Sequence, residues 1–291
     1  MRLESVLPFM AAVALVASPL PAQETLPASY QAHLATLAHL QTLTLNDVSD
    51  LTAKAQSGVP EAQYMLALIY SDGRLMPRDM AVSRQWMLKA AEQEYVPAEL
   101  GMGEIYLVNT KTRPLPDYAD ADRWLRLAAS HGDAEAQFWL GTGYERGSFG
   151  AIDYREALKW LRMASAQGLP DAQCCLGGMY EDGEGVAESD EKAALWYRKA
   201  ADHFFEVSGV WHGTVQMNNM YRDGRLRKDD VEAYIWAAIV GTTGNPPDDT
   251  DMKRITRHMT KARITEAQRR AQDWIRRHGP LQNVADQEAR N

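Results

Sequence analysis

The chain carries only two cysteines in 291 residues, Cys174 and Cys175, and they are neighbours. One adjacent pair cannot build a disulfide framework, and neighbouring cysteines bridge each other only at the cost of backbone strain. They are expected as small apolar side chains on a buried helix face. Basic residues are outnumbered 39 to 31 by acidic ones, giving a net charge of −8. Phosphate backbones are held by concentrated positive surface, so this balance argues against a nucleic-acid partner. Neither HExxH nor GxSxG occurs, and the seven histidines, among them His203, His212, His258 and His278, show no metal-ligand spacing. No catalytic, cofactor-binding or metal-binding residue is assigned, no cofactor is expected, and the chain is read as a non-enzyme.

Long apolar runs are also missing. The run from Val6 to Val16 falls short of the ~20 residues that span a bilayer. With Arg2 ahead of it and the small-residue end Pro21-Ala22 behind, it reads as a signal peptide, residues 1–22, cleaved after Ala22. No cysteine follows the run, so a lipid anchor is not expected, nor is an integral membrane segment in the mature chain. The mature protein is expected in the periplasm or fully secreted.

What the sequence does contain is a repeat. Trp86, Trp124, Trp160, Trp196 and Trp236 are separated by 38, 36, 36 and 40 residues. Tyr70, Tyr106, Tyr144, Tyr180 and Tyr221 are separated by 36, 38, 36 and 41. In step with them stand Ala62, Ala98, Ala136, Ala172 and Gly213, eight before each tyrosine, and Ala67, Gly103, Gly141, Gly177 and Asn218, three before it. Periods of this length mean stacked supersecondary units. In AQYMLALIY, Ala62, Leu66 and Tyr70 fall at i, i+4, i+8, one face of a helix whose small residues allow a neighbour to approach. A glycine-bearing turn follows (YSDGR, YERGS, YEDGEG, YRDGR). Asp79, Asp117, Asp153, Ser189 and Asp229, each seven residues before its tryptophan, are N-cap types and predict the start of a second helix.

The repeat context absorbs the other motifs. The glycines of LGMG (100–103) and GTGYERG (141–147) lie within or at the end of a helix, whereas a dinucleotide loop follows a strand and opens a helix. EDGEGVAESDE (181–191) lacks the alternating ligands of a calcium loop and reads as a solvated turn. One tryptophan per unit, in phase with buried alanines, reads as core rather than as a ladder for carbohydrate stacking.

The pattern AQxxLGxxYxxGxGVxxDxxxAxxWYxKAA resembles the SEL-one-like repeat, a relative of the tetratricopeptide repeat; the unit from Ala172 to Ala201 carries it most fully. The resemblance implies an all-α, right-handed superhelical solenoid of about five helix-turn-helix units. It divides the chain into a partly helical N-terminal segment (23–45), repeats (46–244) opening with the half-unit NDVSDLTAKAQSG, a basic C-terminal capping region (245–278) and a flexible tail (279–291). Two units depart from the pattern, the second through VNTKTRPLPDY and the fifth around HFFEVSGVW.

By analogy with tetratricopeptide arrays, a protein or peptide partner would lie in the concave groove lined by the first helices. The inward positions are Tyr64, Leu68, Leu100, Glu104, Phe138 and Thr142, with Glu145, Glu181 and Asn219 further along. A groove filled by the chain's own termini is the alternative. The resemblance implies a scaffold or adaptor in envelope signalling, envelope assembly or host interaction. A cysteine-rich branch resembles penicillin-binding or β-lactamase-like hydrolases, but its paired cysteines are not found here. Residues 253–278 hold nine basic side chains against Glu266 and Asp273. That helix is read as a polar terminal cap, with contact to anionic envelope material as the alternative.

Overall fold

The computed structural model describes residues 27–107, 117–203, 208–226, 229–243 and 249–278. The expected signal peptide, most of the proline-bearing loop, residues 204–207 of the insertion in the fifth unit and the tail lie outside the described residues. Among the described residues every regular element is helical. They divide into two compact units, Pro27–Met163 and Ala164 onward.

The first unit contains α1 (Ala28–Thr42), α2 (Leu45–Gln56), α3 (Pro60–Asp72), α4 (Met80–Ala91), α5 (Val96–Leu107), α6 (Tyr118–Ser130) and α7 (Ala134–Glu145), and ends within α8 (Tyr154–Ala166). From α2 to α7 each helix packs on the next. The second unit contains α9 (Pro170–Asp182), α10 (Asp190–Ala201), α11 (Ser208–Arg222), α12 (Asp230–Val240), a 3₁₀ turn (Gly241–Thr243), α13 (Asp249–Thr256) and α14 (Lys261–His278). Here α9, α10 and α11 pack on one another, α11 packs on α12, and α12 carries α13 and α14.

Local chemistry sets the boundaries. The carboxylate of Asp79 accepts from the backbone N–H groups of Ala81 and Val82, Asp117 from Asp120, Asp153 from Arg155 and Glu156, and Asp229 from Val231 and Glu232, while the Ser189 hydroxyl accepts from Lys192. Each satisfies donors that a helix start leaves open. The caps are also tied backwards. The N–H groups of Asp79, Asp117, Asp153 and Ser189 donate to the carbonyls of Tyr70, Tyr106, Tyr144 and Tyr180 at 2.9, 3.0, 3.0 and 2.8 Å. Between cap and tyrosine, Gly73 and Gly183 take left-handed conformations (φ 80° and 71°) that end α3 and α9.

Small residues do what the repeat pattern predicts. A Cβ on Gly103 would stand 2.6 Å from Leu125 Cδ2, and one on Gly177 would stand 2.5 Å from Tyr197 Cε1. The glutamine after the repeat alanine adds a polar tie: Gln63 Nε2 donates to the Ala55 carbonyl at 3.0 Å and Gln137 Nε2 to that of Ala129 at 3.3 Å. The tryptophans divide. Trp124, Trp160 and Trp236 are buried, whereas Trp86 and Trp196 are half-buried beneath the ammonium groups of Lys89 and Lys199, at 4.3 and 4.2 Å from the ring centres. In the first four repeats the side chain after the tryptophan is more deeply buried than the tryptophan itself: Met87, Leu125, Leu161 and Tyr197.

Candidate partner-binding groove

The structure corrects the expected groove at its N-terminal end. Tyr64, Leu68, Leu100 and Thr142 are not presented to solvent; their exposures are 2, 1, 3 and 5%. For Tyr64 and Leu68 the reason is α1, a continuous 15-residue helix where the sequence predicted a partly helical segment. It packs against α3 and α7. Leu40, and Leu43 just beyond its end, join Tyr64 and Leu68 in one apolar cluster. Burial raises the Tyr64 phenol well above its usual range, and the Glu104 charge adds to this. Leu100 belongs to a separate cluster with Leu125, Leu140 and Trp160. The Thr142 hydroxyl turns back into its own helix, donating to the carbonyls of Phe138 at 3.1 Å and Trp139 at 3.2 Å.

At either end of α1 a polar contact joins it to the rest of the unit. The Ser29 hydroxyl accepts from the Ala134 N–H at 3.4 Å and donates to the Asp133 carboxylate. Near the other end, Arg74 Nη2 donates to the Leu40 carbonyl at 2.6 Å. Ser29, Asp133 and Arg74 are functional candidates that repeat periodicity could not find, because none occupies a repeat position of the groove. One signal existed: Ser29, His33, Leu37 and Leu40 fall at i, i+4, i+8, i+11.

Glu104 and Phe138 keep partial exposure on consecutive first helices. The Phe138 ring lies 5.5 Å from that of Trp139. Although some of Glu104 meets solvent, its carboxyl is packed round by protein; burial, with the Asp133 charge next, raises its pKa to about 7. Burial likewise raises Asp133, against the hydrogen bond from the Ala136 N–H. This end of the face is therefore acidic and apolar together. Glu145 is half-buried at the end of α7.

In the second unit the expected groove residues serve another purpose. Glu181 accepts from the Tyr197 hydroxyl and from Arg225, and Arg225 also binds Asp190. Glu181 thus ties α9, α10 and the turn after α11 together. Asn219 is half-buried, with Nδ2 donating to Gln216 Oε1 at 3.4 Å. Cys174 and Cys175, on α9, form no disulfide and are half-buried rather than buried; burial pushes the Cys174 thiol up to about 12.

The basic C-terminal residues meet acids of the same unit. Arg270 reaches Glu232 at 2.5 Å, Glu232 also holds Arg198 at 2.6 Å, and Arg263 reaches Asp229 at 3.8 Å. Arg269 and Arg276 bind Asp273 on α14 itself. Ala267, Ala271 and Trp274 are buried, and Ile264 is half-buried.

Consecutively packed helix pairs with capped second helices and glycine contacts at Gly103, Gly141 and Gly177 define a helical-repeat protein of the α-solenoid class. The Sel1 repeat model matches residues 60–95, 97–133, 134–169, 170–203 and 218–238, more than half of the chain. The chain belongs to the Sel1 repeat family, whose repeats generally act as protein–protein interaction scaffolds. Among solved structures it is similar to c5321, a protective antigen of uropathogenic Escherichia coli strains displaying an SLR fold (27% identity, TM-score 0.66, covering 79% of this chain and 48% of that one). It is also similar to a Sel1 repeat protein from Oxalobacter formigenes (26% identity, TM-score 0.60, covering 82% of this chain and 67% of that one). The aligned region thus spans about half the length of the E. coli antigen. No curated protein matches. No described helix is long and apolar enough to cross a membrane.

Proposed function

We propose that this chain is an exported scaffold whose first-helix face binds a protein or peptide partner in the bacterial envelope or beyond it. The observation that carries the reading is that Glu104 on α5 and Phe138 on α7, two different inward positions of consecutive first helices, stay half-exposed beside a surface that already holds a helix. Export rests on the apolar run from Val6 to Val16 behind Arg2. The envelope process served is a proposal of the same kind: signalling, assembly or host contact would each use such an adaptor. The basic face of α14 is proposed as a cap first and an anionic contact second, since several of its arginines already have acidic partners.

Because Tyr64, Leu68 and Leu100 are buried, changing them tests folding and not docking. The informative experiment places a photo-crosslinking phenylalanine analogue at position 138 of the tagged mature chain in its native envelope. A control places it at Arg123, whose side chain is 68% exposed on α6. Discrete adducts from 138 and none from 123 support the groove. Equal adducts from both positions reject it.

A further inference from the structure

We propose that α1 is a displaceable occupant of the inner face of the first unit, and that the partner enters as a helix with α1's own chemistry. That chemistry is a hydroxyl residue at i, leucines at i+8 and i+11, and no acid. The inference rests on the scaffold reading above and deepens it.

Four observations carry it. The first is placement. α1 is not a repeat helix stacked on its sequence neighbour; it lies against α3 and α7, which belong to different repeats. That is the position of a helix held in a groove, one of the common modes of peptide recognition.

The second is the face that α1 presents. Leu37 and Leu40 are buried and Ser29 and His33 half-buried, while Gln31, Ala32, Ala35 and His39 are exposed. A stripe at i, i+4, i+8, i+11 faces the protein, and the exposed side chains among the described ones are small or polar.

Charge is the third. Residues 28–42 contain no aspartate or glutamate, whereas the surface receiving them includes Glu104, Asp133 and Glu135. An acid on the inward side of a competing helix would meet like charge at close range, so the surface discriminates against acidic helices.

The fourth is the hinge. Only Leu43 and Thr44, both extended, separate α1 from α2. Thr44 closes the start of α2 by itself: its N–H and hydroxyl donate to Asp47 at 2.7 and 2.6 Å, completing a capping box. The first turn of α2 therefore needs nothing from α1, and α1 can leave without opening the next helix. The start of α1 has no such seal, since Pro27 at its N-cap makes no side-chain cap bond. An isolated helix of this length is marginal in water, so α1 draws its order from the groove.

The test uses the mature chain and a fluorescently labelled peptide of residues 27–43. In the parent, amide exchange should be much faster across α1 than across α3. Exchange equally slow in both would make α1 an integral helix and overturn the proposal. A double variant, Ser29→Asp with Leu37→Ala, sets a carboxylate against Asp133 and removes an anchor while leaving α3, α5 and α7 intact. It should bind the labelled peptide at least tenfold more tightly than the parent does, because the groove is no longer occupied. The same peptide carrying both substitutions should bind neither protein. Adding Phe138→Glu to the double variant should abolish peptide binding. Tighter binding that survives Phe138→Glu, or no difference between double variant and parent, overturns the proposal. Crosslinks from position 138 together with failure of the peptide would leave the scaffold reading standing and remove α1 as its template.

Discussion

Gly141 on α7 lies against Leu161 on α8 so closely that a Cβ at the glycine would stand 2.5 Å from Leu161 Cγ and 3.2 Å from the Leu161 backbone nitrogen. The clash is with the Leu161 side chain, which would have to leave its packed position, while the backbone nitrogen is merely crowded. Gly141→Ala should therefore cost about 1–3 kcal/mol despite alanine's better helix propensity. Combining it with Leu161→Ala should cost less than the sum of the two single changes, because the shorter side chain makes room. Thermal melts of the four proteins check this; additive losses would show that the contact does not set the spacing.

The Asp153 cap should behave as a local, separable device. Asp153→Ala should lower stability by about 1 kcal/mol, and Asp153→Asn should retain most of it. Urea unfolding with an unchanged slope would localise the effect to stability.

Glu99 occupies the position where Gln63 and Gln137 donate to the carbonyl of the preceding helix, and a carboxylate cannot donate. It is fully buried, its Oε1 has no hydrogen-bond partner, and Oε2 meets His131 Nδ1 at 2.8 Å. Burial raises its pKa above the ordinary 4.5, with His131 opposing. A carboxyl whose pKa is higher in the folded chain favours folding while protonated, and that stability is lost as pH rises from about 4.5 through the folded value. Glu99→Gln removes the loss and restores the donor. The variant should be about 1 kcal/mol more stable than the parent at pH 7, the gain shrinking toward pH 4. Lower stability at pH 7 would mean that the pair with His131 outweighs desolvation.

At the other end of the chain, Trp274 packs edge-on to Trp236 at 6.4 Å and is buried against α12. Trp274→Ala should cost roughly 3–5 kcal/mol. Arg270→Ala should cost at most about 1 kcal/mol, because that side chain is 42% exposed and its ion pair is screened. A parent-like melt of the tryptophan variant, with salt-sensitive envelope association lost, would make α14 a contact surface instead of a cap.

The features legible in the sequence were those set by nearby residues. Asp79 and Asp229 cap helices because a side chain two or three residues away can reach the open N–H groups, and this chemistry is written in the chain. Gly103 and Gly177 were legible because their period matched that of the helices. The tryptophans were less so: periodicity marked Trp86 and Trp196 as core, yet their lysines cover the rings while Met87 and Tyr197 take the deep positions. The groove was least legible. Tyr64 and Leu68 were placed by register, but register does not say what lies over a face. Ser29 meets Asp133 across more than a hundred residues, and no local pattern records such a contact. Glu181 was placed among the groove positions by its register; Tyr197 of its own helical pair and Arg225 after the next first helix claim it instead.

The backward bonds from cap to tyrosine span nine residues at Asp79, Asp153 and Ser189, but eleven at Asp117. Distance along the chain thus varies while the two bonded groups keep the same separation. Such a closure makes the turn indifferent to its own length, much as a buckle holds whatever slack the strap carries. The two extra residues between Tyr106 and Asp117 leave that bond as short as in the other units. That turn is accordingly where a lineage could vary sequence freely, and where an epitope or reporter tag could be inserted with the repeat frame intact.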